Sequence, residues 1–494
     1  MSPPSSPSGE VRRRGPPLWL IALAAAILAA RLAAAAACHL TEDEAYYRLW
    51  ASAPALGYFD HPPMIAWWIW LGRKIAGDSA LGVRLLPVLA SAGVSFLVWD
   101  AARAAGLSVS IAARAAVWWN ATLLVAAGGL LATPDSPASF FWITSLCCSI
   151  RALRGPALPW WGAAGVAAGL ACLSKYSALF LAPGVLLWLL SSADGRRALR
   201  TPGPWLAAAL ALAIFSLNIA WNAEHGWLTF AKQFGRVEPH RFAPQHLAEL
   251  ALGQVLLLNP LIAAFLARGV ARGELPRRLG PFALTSAPFA LYLCLHALHD
   301  RVEGHWPAPL YPALAVIAAT AAEDARGAWR ACRRLAPWVG FGAAAIALAF
   351  AALPGDPAPE VKDPALALRG WSAFAGTLDR RARGAGAGWI ATMSYGVASE
   401  LSAEPSLKLP VAEIVDRRRY LGLRLGPAPD FTRPGLLVDL PRRIDPQLLR
   451  RCFDSARPLG SAFRSGGDND REVYAIWLLR GPRIGLEVRG CNGA

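Results

Sequence analysis

Apolar segments of membrane-spanning length recur along the chain from residue 17 to residue 353 and then stop. An α-helix needs about 20 mainly apolar residues to cross the hydrocarbon core of a bilayer. The composition agrees, because 17% of the residues are charged, against roughly 25% in soluble domains. We therefore predict a mainly α, polytopic membrane protein with about eleven transmembrane helices, at residues 17–38, 81–101, 108–131, 138–153, 157–174, 177–192, 203–221, 247–267, 280–297, 308–322 and 335–353.

Arginines in alternate connectors predict how these spans are oriented. If the N-terminus is cytoplasmic, every cytoplasmic connector carries arginine, as the positive-inside rule requires. The unusual acidic and histidine residues then all fall in extracytoplasmic segments, and an odd number of spans leaves the C-terminus on that side. The formal charge of +16 does not indicate a nucleic-acid partner, because the arginines are spread over short connectors without interleaved aromatic residues.

The N-terminal end combines a polar tail with the first span. Residues 1–16 are rich in proline and serine and include three consecutive arginines, which predicts a disordered cytoplasmic tail. A cleavable signal peptide is the alternative, but this span is long for one and many spans follow. Arg31 lies inside the span. It either extends to the membrane interface or pairs with a phosphate or a carboxylate.

The C-terminal region, residues 354–494, changes character because apolar runs shorten and Pro, Gly and Arg increase. Residues 17–353 are predicted to form the transmembrane catalytic domain, and 354–494 a small extracytoplasmic α/β domain. Cys452 and Cys491 in the latter either pair, which that compartment permits, or remain free thiols. The predicted elements are buried strands at 388–393, 435–440 and 472–479 and a short helix at 445–453.

Two acidic groups mark the first predicted extracytoplasmic loop, residues 39–80. Asp43 and Glu44 come first, in Thr41-Glu-Asp-Glu-Ala-Tyr-Tyr47. Acids in the first turn of a capped helix would account for part of this pattern. However, carboxylates at a membrane edge are costly and are functional by default. We interpret Asp43 as a general base that removes the proton of an attacking hydroxyl.

Asp60 and His61 form the second group, in Tyr58-Phe-Asp-His-Pro-Pro63. The two prolines fix the backbone there, so one interpretation is a loop anchored on the membrane surface. The other is that Asp60 and His61 bind a divalent cation or orient a phosphate. One Asp and one His are too few ligands for a metal site, and His305 is the candidate third ligand.

Three further polar positions fall on the same predicted side. Asp135 lies in Thr133-Pro-Asp-Ser-Pro137, a pattern typical of a turn. Lys175, followed by Tyr176, interrupts an apolar hairpin and either extends to the interface or contacts a lipid phosphate as a point charge. His305 lies in a Trp/Pro-rich segment that is either an interfacial anchor or a binder of phosphate or metal.

These motifs together resemble the PMT superfamily of polyprenyl-phosphate-sugar glycosyltransferases, which have the GT-C fold. The resemblance covers about residues 17–330 and is carried by Asp43-Glu44-Ala-Tyr-Tyr, Gly57-Tyr-Phe-Asp-His-Pro-Pro, Thr133-Pro-Asp-Ser-Pro, Leu173-Ser-Lys-Tyr and His305-Trp-Pro-Ala-Pro. It implies that Asp43 is the base-like catalytic carboxylate. It also implies that Lys175 contacts the donor phosphate. The residues predicted for the site are the catalytic carboxylates Asp43, Glu44 and Asp135, the substrate-binding residues Tyr47, Tyr58, Asp60, His61, Lys175, Tyr176 and His305, and Asp60 with His305 for a divalent metal.

The reaction implied by the resemblance is a single inverting displacement. The donor is a sugar on a polyprenyl phosphate, and the acceptor is a glycolipid such as lipid A, another glycan, or a protein hydroxyl. The expected location is the bacterial inner membrane, with the site on the extracytoplasmic side. A transporter of lipid-linked sugars is the alternative from another class, but transporters generally show internal repeats and midplane binding groups, which this sequence lacks.

Overall fold

The computed structural model describes residues 15–155, 157–235, 242–273, 279–352, 365–423, 428–465, 471–483, 486 and 490–491. In this part of the chain the protein is mainly helical, with one small sheet near the C-terminus. The tail predicted at residues 1–16 lies outside the described residues, apart from its last two positions. Residues 353–364 also lie outside them, so the predicted domain boundary stays a prediction.

A helix lies at each of the eleven predicted spans. Four helices (α1, α4, α11 and α17) are individually long and apolar enough to cross a membrane within the described ranges, or five if a bent pair counts as one span. The number of spans therefore stays a prediction. The helices of this region are α1 (Leu18–Ala37), α2 (Glu42–Trp50), α3 (Met64–Ala76), α4 (Ala80–Ala104), α5 (Val109–Asn120), α6 (Leu123–Gly128), α7 (Asp135–Ala152), α8 (Ala157–Cys172), α9 (Leu181–Ser191), α10 (Ala193–Ala198), α11 (Pro202–Glu224), α12 (Leu228–Phe234), α13 (Gln245–Leu257), α14 (Pro260–Ala271), α15 (Gly280–His296), α16 (Tyr311–Ala321) and α17 (Ala328–Ala352).

The predicted span at residues 247–267 is broken at Asn259, where α13 and α14 meet at 114°. Asn259 has a φ of 75°, which asparagine tolerates better than most residues. Its side chain accepts a hydrogen bond from the N–H of Leu261 at 3.1 Å and donates to the carbonyl of Ala336 at 2.8 Å. Pro260 follows at the first helical position, where its missing N–H costs nothing. The bend therefore has a local cause.

The predicted first loop, residues 39–80, folds into α2 and α3. Thr41 caps α2 in a reciprocal capping box with Glu44, which satisfies two otherwise unpaired backbone donors. Pro62 and Pro63 precede α3, and Gly77, at φ 77°, ends it. The loop is thus a rigid pair of helices that fixes the direction of Asp43 and Asp60.

The C-terminal part holds a five-stranded sheet in the order β2-β1-β3-β5-β4. β1 is parallel to β2 and β3, whereas β5 is antiparallel to β3 and β4. The three predicted strands are confirmed as β1, β3 and β5, and the predicted helix as α20, capped by Asp445. β2 and β4 were not predicted. The elements are β1 (Trp389–Thr392), β2 (Val411–Glu413), β3 (Gly435–Asp439), β4 (Phe453–Ser465), β5 (Arg471–Pro482), α18 (Trp371–Gly384), α19 (Tyr395–Ala403) and α20 (Pro446–Cys452).

Two features tie this part together and join it to the helices. Cys452 and Cys491, whose Cα atoms are 5.6 Å apart, form a disulfide, as one of the two sequence interpretations predicts. A single hydrophobic cluster then combines the aromatic face of α2 and residues of α3 with α18, α19 and the sheet. Trp50 and Trp371 are both about 1% exposed or less within it. The sheet therefore packs directly against the first loop.

Candidate active site

A cavity of about 730 Å³ lies between the helical part and the C-terminal part. It is lined by most of the residues that the sequence singles out, although they come from five separate segments of the chain. Its remaining walls are largely apolar and aromatic. The predicted site residues that line it are Asp43, Tyr47, Asp60, His61, Asp135, Lys175, Tyr176 and His305.

Asp43 is half-buried in the first turn of α2. Its Oδ1 accepts a hydrogen bond from the hydroxyl of Tyr395 at 2.9 Å. Burial and the Asp43 carboxylate raise the pKa of Tyr395, so this hydroxyl keeps its proton and donates it. Among the described residues, no cationic group lies within ion-pair distance of Asp43.

Asp60 is 6% exposed, and two groups contact one of its oxygens. The Tyr46 hydroxyl donates to Oδ2 at 2.9 Å, and Nη1 of Arg419 donates to the same atom at 2.7 Å. The guanidinium of Arg419 also lies 4.7 Å from the ring centre of Tyr395 and 5.4 Å from that of Phe59, distances at which a cation is attracted to an aromatic face. The Asp60 carboxylate is therefore paired with a cation and held in a fixed position.

Asp135 forms the second ion pair of the cavity. It begins α7, so the predicted turn at residues 133–137 includes the first turn of this helix. Nζ of Lys175 donates to its Oδ1 at 2.7 Å, and Nε2 of His305 lies 3.7 Å from its Oδ2. Side chains from three distant segments therefore meet at one carboxylate, and the cation of the pair lies at the cavity wall.

Glu44, which the sequence predicts as catalytic, does not line this cavity. It is fully buried and forms two short hydrogen bonds with Arg84, Nε to Oε1 at 2.7 Å and Nη2 to Oε2 at 2.6 Å. Burial favours the neutral acid, but the Arg84 guanidinium and the N–H of Ala132 outweigh it and hold the pKa of Glu44 below its usual range. Glu44 thus joins α2 to α4 and to the segment before Asp135.

Tyr58, predicted to bind substrate, is also turned away from the cavity. Its hydroxyl donates to the carbonyls of Trp50 and Ala53, at 3.1 and 3.0 Å, and its ring stacks on Trp50 with centroids 4.6 Å apart. Tyr58 therefore fixes the backbone that carries Asp60. Tyr176, by contrast, lines the cavity, with its hydroxyl held by Asn218 at 2.7 Å.

The sequence interpretation missed Tyr395 and Arg419. Tyr395 follows the carboxyl end of β1, and Arg419 follows that of its parallel neighbour β2. Ligand-binding residues commonly lie beyond the carboxyl ends of parallel strands, so this position is a usable signal. It was hidden because β2 is only three residues long and was not recognised.

Arg31 lies behind the wall of the cavity. Its guanidinium, 3% exposed, donates to Ser91, to Asn120 and to the carbonyl of Val125, each at 3.0 Å. Ser91 and Val125 line the cavity. Arg31 therefore cross-links α1 with α4, α5 and α6. In the described part of the chain no carboxylate pairs with it, and contact with the membrane interface or with a phosphate stays a prediction.

The residues proposed for a metal do not fit one. Asp60 is occupied by Arg419, and His305 lies beside Asp135, which carries Lys175. A metal ion would compete with the Arg419 guanidinium for Asp60 and with the Lys175 ammonium for Asp135. Moreover, no group of three His, Cys, Asp or Glu side chains with metal-binding geometry occurs in the described part of the chain.

Comparisons with known proteins agree with the fold and the motifs. A family model described as dolichyl-phosphate-mannose-protein mannosyltransferase matches residues 60–221. The lipid A galacturonosyltransferase RgtD of Rhizobium johnstonii is 27% identical over 295 residues, which are 56% of this chain and 59% of that protein. The chain thus matches less than two thirds of this relative.

Among solved structures, ArnT from Cupriavidus metallidurans bound to undecaprenyl phosphate superposes with a TM-score of 0.61 at 15% identity, over 93% of this chain and 97% of that one. The oligosaccharyltransferase AglB of Archaeoglobus fulgidus reaches 0.51 at 11% identity, over 95% and 77% of the chains. These identities are low, so the likeness is one of fold. The family model, the relative and the fold confirm what the motifs indicate: the chain resembles the PMT superfamily of glycosyltransferases with the GT-C fold.

Proposed function

We propose that the protein is a membrane glycosyltransferase that moves a sugar from a polyprenyl-phosphate carrier to a hydroxyl of an envelope glycolipid. The site would face the extracytoplasmic side of a bacterial inner membrane. The resemblance to the PMT superfamily supports this class of reaction. The cavity supports it as well, because acidic and basic groups share one hollow with apolar walls that suit a lipid carrier.

One observation selects the base among the three aspartates of the cavity. Asp60 is paired with Arg419 and Asp135 with Lys175, each at 2.7 Å. Each of these carboxylates is already engaged by a cation, and taking up a proton would break that ion pair. Asp43 has only the neutral Tyr395 hydroxyl as a hydrogen-bond partner among the described residues. We therefore assign the base to Asp43.

The proposed step is a single displacement. Asp43 takes the proton of the acceptor hydroxyl while that oxygen bonds to the anomeric carbon of the donor sugar. The bond from that carbon to the phosphate oxygen breaks, and the polyprenyl phosphate leaves with the electron pair. Attack opposite the leaving group inverts the anomeric configuration. Lys175, at the cavity wall, is the group we assign to the phosphate, since a fixed cation stabilises developing negative charge.

The acceptor we propose is lipid A or a related glycolipid. The support is the similarity of the chain to a lipid A galacturonosyltransferase. The donor carrier follows from the superfamily, and the solved ArnT structure contains undecaprenyl phosphate. Residues 17–353 would form the transmembrane catalytic domain, and residues 354–494 an extracytoplasmic domain that closes the site.

Mass spectrometry of lipid A, core oligosaccharide and envelope proteins tests the proposal in a strain that lacks the gene. We expect one glycolipid to lose a single sugar and to regain it with the wild-type gene but not with Asp43→Asn. The matched control is Asp78→Asn, an aspartate of the same loop that lies outside the cavity, where it pairs with Arg48 and Arg73. Normal restoration by Asp43→Asn, or a sugar lost from protein instead of glycolipid, would contradict the proposal.

A further inference from the structure

We propose that Tyr395 of the C-terminal part is a positioning residue that holds the Asp43 carboxylate in the orientation required for proton abstraction. This inference rests on the proposed function, since it assigns a role beside the proposed base. It makes the C-terminal part a component of the active site. The contact itself joins residues 352 positions apart in the chain, at 2.9 Å.

Two neighbouring side chains pack against the Tyr395 ring. The ring centre of Tyr46 lies 5.0 Å from that of Tyr395, and the guanidinium of Arg419 lies 4.7 Å from it. Arg419 is itself fixed by Asp60. The hydroxyl therefore occupies a defined place with little rotational freedom. A donor whose position is already fixed can orient a carboxylate without a further entropic cost at the moment of reaction.

The helix that begins with Tyr395 is docked against the membrane part at two further points. Gly396 lies so close to α2 that a Cβ there would be 2.2 Å from Oε2 of Glu42. Five residues after Tyr395, the buried Glu400 forms a hydrogen bond with Nε2 of His39 at 2.9 Å. His39 lies two residues after the end of α1. Three contacts thus set the position of α19 against the segment that carries Asp43.

The hydrogen bond has a geometric consequence for Asp43. It occupies Oδ1, so that Oδ2 is the atom left for the acceptor hydroxyl. The other two aspartates of the cavity, Asp60 and Asp135, are held by Arg419 and Lys175 instead.

The test compares two tyrosine-to-phenylalanine variants in purified full-length protein, with an undecaprenyl-phosphate sugar and the acceptor glycolipid. Tyr395→Phe removes the hydroxyl that contacts Asp43. Tyr420→Phe is the matched control, because the hydroxyl of that buried tyrosine has no hydrogen-bond partner within the described ranges and does not line the cavity. The kcat and the KM for the donor are measured for both.

For Tyr395→Phe we expect kcat to fall several-fold while the donor KM stays unchanged, because in this proposal the hydroxyl orients the base and does not contact the donor. Tyr420→Phe should leave both constants unchanged. Thermal unfolding of each variant shows whether it is folded.

Each outcome decides a different point. If the wild type transfers no sugar, the proposed function fails and the role of Tyr395 fails with it. If the wild type is active and Tyr395→Phe keeps its kcat, or loses activity only through a higher donor KM, only the positioning role is overturned. An equal loss of kcat in Tyr420→Phe overturns it as well, because the effect would then come from repacking of the C-terminal part.

Discussion

Glu44 and Asp43 are adjacent carboxylates that we expect to respond in opposite ways to loss of charge. Glu44→Gln keeps the shape of the side chain but leaves the Arg84 guanidinium, 1% exposed, without its counterion. Breaking a buried ion pair by removing one partner costs about 3–5 kcal/mol. Asp43→Asn removes only a half-buried charge with one neutral partner, which costs about 0.5–1.5 kcal/mol.

The effect on catalytic activity should be the reverse, small for Glu44→Gln and large for Asp43→Asn. Loss of a general base lowers the rate by about 10²–10⁴-fold, so Asp43→Asn should be folded and inactive. Glu44→Gln should unfold at a clearly lower temperature, while its folded fraction keeps the kcat of the wild type. Thermal unfolding in detergent and kcat at a temperature below both transitions measure the two effects in the same preparations.

The double variant Glu44→Gln/Arg84→Met provides the control for the ion pair. Replacing both charges removes the uncompensated guanidinium, so part of the lost stability should return. The recovery should be incomplete, because Arg84 also donates to the carbonyls of Ala35, Cys38 and His39. If Glu44→Gln is stable but as inactive as Asp43→Asn, Glu44 takes part in the reaction and its structural role is refuted.

Three further predictions concern stability. Burial raises the pKa of Glu413 from 4.5 to about 7, so the folded state binds more protons than the unfolded state between these values and stability falls as the pH rises through that window. The free energy of unfolding of Glu413→Gln should therefore equal that of the wild type below pH 4.5 and exceed it by up to about 3 kcal/mol above pH 7. Chemical denaturation of both proteins at both pH values measures this, and equal free energies above pH 7 would contradict it. Cys452→Ser opens a loop closed across 39 positions to Cys491 and should cost about 4 kcal/mol, an effect that a reductant should reproduce on the wild type and not on the variant. In α17, a Cβ on Gly340 would lie 1.9 Å from a backbone carbonyl, whereas one on Gly342 would meet nothing within 4 Å. Gly340→Ala should thus lower the unfolding temperature, by an amount equivalent to about 1–3 kcal/mol, and Gly342→Ala should leave it unchanged or raise it; equal effects would refute the contact.

The helices, and the cavity residues that come from the helical part of the chain, were predictable because local signals specify them. Long apolar runs predict helices regardless of partners, and acids and lysines that interrupt such runs are conspicuous. The role of Glu44 was not predictable in this way. Asp43 and Glu44 are equally acidic and adjacent, and only the position of Arg84, 40 residues away in the chain, directs one of them into the core.

Arg419 shows a second limit. It lies in a run of three arginines, which in sequence is indistinguishable from a solvated basic turn. Its position in the cavity depends on β2, which places it beside Phe59 and Asp60. Such contacts form only when the sheet docks on the first loop, so no local pattern contains them. The cavity-lining residues of the helical part were therefore recognisable in the sequence, and those of the C-terminal part were not.

The distribution of charge in the cavity fits the proposal that Asp43 acts as the base. The donor phosphate would enter a hollow lined by Asp43, Asp60, Asp135 and Glu303. The pairs with Arg419 and Lys175 cancel the charges of two of the three aspartates at 2.7 Å, so that among the aspartates Asp43 alone is left uncompensated. Removing Arg419 would therefore weaken donor binding through repulsion by Asp60. In Asp60→Asn/Arg419→Gln, where both charges are absent, the donor KM should return toward the wild-type value, and a KM that stays as high as in Arg419→Gln would show that Arg419 contacts the donor itself.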